Sequence, residues 1–186
     1  MPSIISYVTQ AYSLLTIAGQ ILIAAALIAL IFFYGRLKAN KTFSWFLKNS
    51  LWLALLVAIL AVSGSLFYSE IAGFEPCKLC WLQRIFMYPQ VILISLALAL
   101  KDRNIIFYSS ALAIPGAIIA AYNYLMQINA VPVTSCSAVG YSVSCSKVFV
   151  LNYGYITISM MALTAFIMIL LLMLMQKIYW DSKNIS

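Results

Sequence analysis

The sequence predicts an all-α integral membrane protein. Three observations carry that prediction: a composition 65% hydrophobic and only 8% charged, a mean hydropathy of +1.03, and apolar stretches that recur along the 186-residue chain. So little polar surface cannot cover a soluble globule of this size, so lipid must solvate most of it. Each stretch is about 20 residues long, the length a helix rising ~1.5 Å per residue needs to cross ~30 Å of hydrocarbon. That repeated length fits transmembrane helices rather than buried strands.

Five spans follow: 11–34, 45–68, 85–100, 105–126 and 155–176. The third is the shortest and is expected to begin earlier, near Trp81. The first has no ionised side chain before Arg36 and lacks the positive segment of a cleavable signal peptide, so it reads as a retained helix. Connections are short and no internal repeat is visible, which predicts antiparallel neighbours in one domain. The turn Lys101-Asp102-Arg103-Asn104 is the tightest of them. Tyr and Trp gather near the span ends, where amphipathic rings sit at a headgroup boundary.

Basic residues set the expected orientation. Arg36, Lys38, Lys41 and Lys48 join spans one and two, Lys101 and Arg103 join three and four, and Lys177 and Lys183 follow five. Those eight are expected in the cytoplasm, with the C-terminus. The N-terminus and the segments 69–80 and 127–154 are expected outside. The net charge of +7 is accounted for by this placement, and no nucleic-acid partner is expected.

All four cysteines, Cys77, Cys80, Cys136 and Cys145, fall on the outer side of a topology read from Lys and Arg alone. That side permits disulfides, so two pairs there point to redox chemistry or structural bridges. Cys77 and Cys80 stand two residues apart where an outer segment enters span three. A helix N-terminus with Lys78 nearby favours a thiolate. A metal clip and an inert bridge remain open for such spacing. The chain has no His, so a metal site would need all four cysteines, and no metal is expected. Haem attachment is excluded because Trp81, not His, follows Cys80.

Arg84 lies four residues beyond Cys80, on the same helix face and one turn deeper. It is either a headgroup anchor or a fixed positive charge that holds a quinone carbonyl. Cys136 and Cys145 lie among Ser, Gly and other small residues, a pattern that reads as a mobile outer loop suited to docking a partner.

The run Gly73-Phe74-Glu75-Pro76-Cys77-Lys78-Leu79-Cys80-Trp81-Leu82-Gln83-Arg84, preceded by Ser69-Glu70 and followed by Met87-Tyr88-Pro89, resembles the DsbB family, especially its BdbC-like branch. Tyr153-Gly154-Tyr155-Ile156-Thr157-Ile158 is similar to the segment that opens the last span in that branch. The resemblance implies a four-transmembrane-helix antiparallel bundle in a bacterial cytoplasmic membrane. It implies a dithiol:quinone oxidoreductase that takes electrons from a soluble thioredoxin-fold protein such as DsbA or BdbD and gives them to ubiquinone or menaquinone. By the same resemblance Cys77 and Cys80 are the catalytic pair next to the quinone, Cys136 and Cys145 the catalytic pair that meets the partner, and Gln83, Arg84 and Asn123 bind the quinone. Cys80 is then the cysteine that reduces it.

Two departures accompany the resemblance. Span one has no counterpart in the family pattern, so residues 1–44 are expected to add a helix to a DsbB-like domain at 45–186, whose outer loops are 69–80 and 127–154. Some members carry a His near the outer end of span four, where Asn123 stands here; Asn donates to a quinone oxygen but takes up no proton at neutral pH. Cysteine pairs alone fix no direction, so an outward thiol reductant is the alternative enzyme, and a scaffold with two structural bridges is the alternative without catalysis.

Overall fold

The computed structural model describes residues 2–37, 41–131 and 144–184. Five helices run through them: α1 (Pro2–Leu37), α2 (Lys41–Leu66), α3 (Lys78–Leu100), α4 (Ile105–Gln127) and α5 (Ile158–Asn184). All five are long and apolar enough to cross a membrane. Among the described residues there is no strand, only an isolated bridge between Asn152 and Ile156.

The last four helices close a ring in which α2 packs on α3 and α5, and α4 packs on α3 and α5. α1 stands outside that ring, mainly against α5 and more lightly against α2. Small residues let the backbones approach. Ala54, Ala58, Ala113 and Ala120 are fully buried, and a Cβ at Gly116 would run into the ring of Phe166. Away from the cysteine end, polar groups pair between helices, as a low-dielectric interior favours. Gln90 and Ser109 exchange hydrogen bonds across α3 and α4 at 2.9 and 2.7 Å, and the Ser50 hydroxyl donates to Gln176 between α2 and α5.

The helix ends explain where the expected spans were misplaced. α3 starts at Lys78, earlier than Trp81, because Cys77 itself caps it: φ −70° and ψ 170° leave its sulfur free to accept the Cys80 N–H at 3.3 Å. It stops at Lys101, whose left-handed φ of 55° turns the chain, and Asp102 then accepts the Asn104 N–H at 2.9 Å to launch α4. α5 starts at Ile158 rather than at 155, since paired backbone hydrogen bonds of 3.0 and 2.9 Å between Asn152 and Ile156 hold residues 152–156 in a turn and the Thr157 hydroxyl caps the helix by accepting the Met160 N–H at 3.3 Å. α2 does not end cleanly. It widens into a π-helical turn over Phe67–Ile71, closed by the Ala72 N–H on the Phe67 carbonyl at 2.9 Å.

That π turn feeds the segment that carries Cys77. Tyr68 stacks on Phe74 at 6.1 Å, and Phe74 stacks on Phe149 at 4.9 Å. The three rings tie the segment before α3 to the segment before α5. At the other end of the bundle, the Arg103 guanidinium lies 5.8 Å above the Trp180 ring, joining the 101–104 turn to the end of α5.

Candidate redox site at the start of α3

The Cys77 and Cys80 sulfurs are 2.8 Å apart as free thiols, and Cys77 is only 4% exposed. Their spacing across one helical turn makes this meeting automatic once Cys77 caps the helix. The cap also brings Cys77 to the positive end of the α3 dipole. Its thiol is lowered from the usual 9.0 to about 7, first by the hydrogen bond with the Cys80 thiol, against the opposing effect of burial; the Cys80 and Leu79 N–H groups and the Asn123 amide add to the lowering. The Cys77 thiol is thus drawn towards ionisation near neutral pH, with its proton balance shared with Cys80.

Asn123, fully buried on α4, directs its amide nitrogen at both sulfurs, 3.7 Å from Cys80 and 4.0 Å from Cys77. Its Oδ1 has no partner. Because α4 faces the start of α3, Asn123 stands behind the sulfurs, and the cavity described below is lined without it. In this geometry the Asn123 amide contacts the cysteines.

Cys145 is disulfide-bonded and 1% exposed, and it shares one apolar cluster with Cys77 and Met126. The loop-tip placement expected for this cysteine does not hold: it is packed inward, beside the first pair. Cys145 sits in a turn at 144–147, in which the Lys147 N–H donates to the Ser144 carbonyl at 3.1 Å. Cys136 lies outside the described residues.

A cavity of about 630 Å³ opens beside the pair. Cys77, Cys80, Gln83, Arg84 and Gln127 line its upper part, and its lower part runs between α1, α2 and α5. Gln83 is 7% exposed, and its Nε2 has no partner. Arg84 donates from Nη2 to the Ser65 carbonyl at 3.0 Å and lies 5.1 Å over the Trp81 ring. Held from both sides, its planar head faces the cavity with donors to spare. Gln127 was not singled out from the sequence. Its Oε1 is a third buried atom without a partner, and the signal was its position four residues after Asn123 on a largely apolar helix. No group of His, Cys, Asp and Glu able to hold a metal exists among the described residues.

The fold and site together define a multi-pass membrane protein with a dithiol poised at a helix N-terminus. The family model for disulfide bond formation protein DsbB matches residues 48–176, and the chain belongs to that family. It is similar to the probable disulfide formation protein C of Bacillus cereus, at 44% identity over 60% of this chain and 80% of that protein. To the disulfide bond formation protein C of Bacillus subtilis it is 40% identical over 68% of this chain and 91% of that protein. An SPbeta prophage-derived disulfide bond formation protein B of Bacillus subtilis is also 40% identical, over 67% of this chain and 82% of that protein. No solved structure matches. Membership gives the chain a role in disulfide formation and an oxidoreductase character. α1 lies wholly before the matched region, so the architecture is a DsbB-like bundle with an extra N-terminal helix.

Proposed function

We propose that the chain reoxidises a soluble thioredoxin-fold dithiol protein of the DsbA or BdbD kind and passes the electrons to a membrane quinone, ubiquinone or menaquinone. The observation that carries this reading is the clustering of disulfide-bonded Cys145 with Cys77, beside a cavity that reaches both sulfurs of the first pair.

In the proposed exchange a partner thiolate attacks the Cys136–Cys145 disulfide. One S–S bond breaks as a mixed disulfide forms, and the partner's second thiolate resolves it. The partner leaves oxidised, and both loop cysteines are reduced. A loop thiolate then attacks the Cys77–Cys80 disulfide in the same two stages, which restores Cys136–Cys145 and leaves Cys77 and Cys80 reduced. Cys77 holds the negative charge so produced, with the helix N-terminus, the Cys80 hydrogen bonds and the Asn123 amide around it. The burial of Cys145 shortens the distance the second exchange must cover.

The cavity residues fit a quinone. Gln83 Nε2 and Arg84 offer donors for a ring carbonyl, and Gln127 Oε1 offers an acceptor for a ring hydroxyl; the two glutamine atoms are otherwise orphaned. When bound, such a ring supplies a sink for two electrons and two protons. Arg84 contributes positive charge at the cavity wall, and Asn123 orients the sulfurs without moving a proton.

Residues 45–186 are the catalytic domain in this reading, and residues 1–44 add a helix to it. The proposed orientation places the N-terminus and both cysteine pairs outside a bacterial cytoplasmic membrane and the C-terminus inside, because the basic residues concentrate at the opposite end from Cys77.

Cys136→Ser tests the reading. It should abolish oxidation of the soluble partner while purified Cys77 and Cys80 still reduce added quinone. Partner oxidation at the original rate would reduce the loop pair to a structural bridge.

A further inference from the structure

The cavity does not stop at the redox pair. Along α1 its lining extends from Tyr12 to Ala29, about 26 Å at ~1.5 Å per residue, most of the ~30 Å hydrocarbon thickness. Its volume is about 630 Å³, and α1, α2 and α5 all contribute to its lining. The lumen is also polarised. Gln83, Arg84 and the cysteines lie at one end, while the far end is lined by apolar residues such as Leu22, Ala26, Ala29, Phe46 and Met175.

α1 forms one wall of this lumen. It lies before the family-matched region, yet it is fastened to the bundle by side-chain hydrogen bonds rather than by lipid-facing packing alone. Ser13 accepts from Asn152 at 2.8 Å, Gln20 accepts from Tyr155 at 2.9 Å and donates to Thr164 at 3.3 Å, and Tyr12 pairs with Ser63 at 3.0 Å. Gln20 thus bridges two groups at once. Thr9, Ser13, Thr16 and Gln20 recur every three or four residues and make one face, of which the first three are buried. Below that anchored stretch, small side chains on α1 leave the lumen open.

We propose that α1 is the closing wall of the acceptor chamber, enclosing the isoprenoid tail of the membrane quinone between α1, α2 and α5 with its ring at Gln83 and Arg84. The proposal rests on the quinone reading above and adds to it a site on a helix outside the family-matched region. Polarity decides the occupant: a single apolar chain ending in a polar, carbonyl-bearing ring matches a lumen that is polar at the dithiol and apolar beyond it. Contacts along the chamber wall hold the tail and so keep the ring from drifting laterally out of the site.

The test uses the purified full chain and two probes, a quinone with a full-length isoprenoid tail and its tail-less analogue. Their binding is followed by quenching of intrinsic tryptophan fluorescence. Ala26→Phe places a ring in the lumen, and the proposal expects it to weaken the long-tailed probe relative to the tail-less one by about tenfold, the effect of a clash of about 1.4 kcal/mol. Ala24→Phe adds the same bulk on the exposed side of α1 and should change neither probe. A photoreactive group at the end of the tail, used on the unmodified protein, should label α1 and α5 peptides. Labelling confined to the outer surfaces of α3 and α4, an unchanged ratio in Ala26→Phe, or phospholipid retained in the lumen by native mass spectrometry would each overturn the enclosed tail. Failure of both probes to bind the unmodified protein would remove the quinone reading, and the enclosed tail with it.

Discussion

Replacing Asn123 with Leu removes the one side-chain amide that points at both sulfurs while nearly preserving volume. Its nitrogen lies 3.7 and 4.0 Å from them, long even for sulfur, and it is the smallest of the groups that lower the Cys77 thiol, so its contribution belongs at the low end for hydrogen bonds, about 0.5 kcal/mol. That energy corresponds to about 0.4 of a pKa unit upward from about 7. At pH 7 the thiolate fraction then falls from about one half to about 0.3, and alkylation slows a little under twofold. Folding should suffer little, because the substitution also deletes the partnerless Asn123 Oδ1. The assay is the pH profile of Cys77 alkylation in reduced protein, with Cys136 and Cys145 replaced by Ser and the modified peptide identified by mass spectrometry. The sign is definite: a depressed thiol reacts above its own pKa and falls silent below it, so the midpoint must rise in the variant. A midpoint still near 7 would show that Asn123 does not hold the charge and that the helix cap and Cys80 suffice.

Two further perturbations probe the cavity and the orientation. Arg84→Lys keeps the charge but loses the flat contact with Trp81, so apparent quinone affinity should weaken in steady-state kinetics, while Arg84→Ala should also slow turnover by about 2 to 4 kcal/mol of lost anion stabilisation; unchanged kinetics in Arg84→Ala would leave this residue as a headgroup anchor. A membrane-impermeant thiol reagent applied to intact, reduced cells should modify cysteines of this chain, and protection until lysis would reverse the proposed orientation.

The five spans were legible because hydrocarbon thickness imposes one length on every crossing, and the redox pair was legible because its spacing joins a helix cap to a residue one turn on. Helix ends were less so. The π turn at Phe67–Ile71 carries Tyr68 into the Tyr68–Phe74–Phe149 stack, which links residues far apart in sequence. The inward packing of Cys145 was hidden for a related reason: its Ser-rich surroundings resemble a solvated loop, and only the meeting of Met126 with Cys77 shows the apolar niche that receives it. The role of α1 was the least visible. Its apolar residues satisfy lipid on every side, so hydropathy does not reveal which face meets α5, and the buried face is marked instead by Thr9, Ser13 and Thr16.

The direction of electron flow is tested most directly by mixing the purified protein with quinone and a reduced thioredoxin-fold dithiol protein while following quinone absorbance and partner thiols together. The account predicts that quinone is reduced as the partner is oxidised, one quinone for each disulfide formed, and that replacing Cys77 or Cys80 with Ser stops both. Quinone unchanged while the partner remains reduced, or a partner that gains thiols at the expense of quinol, would contradict it.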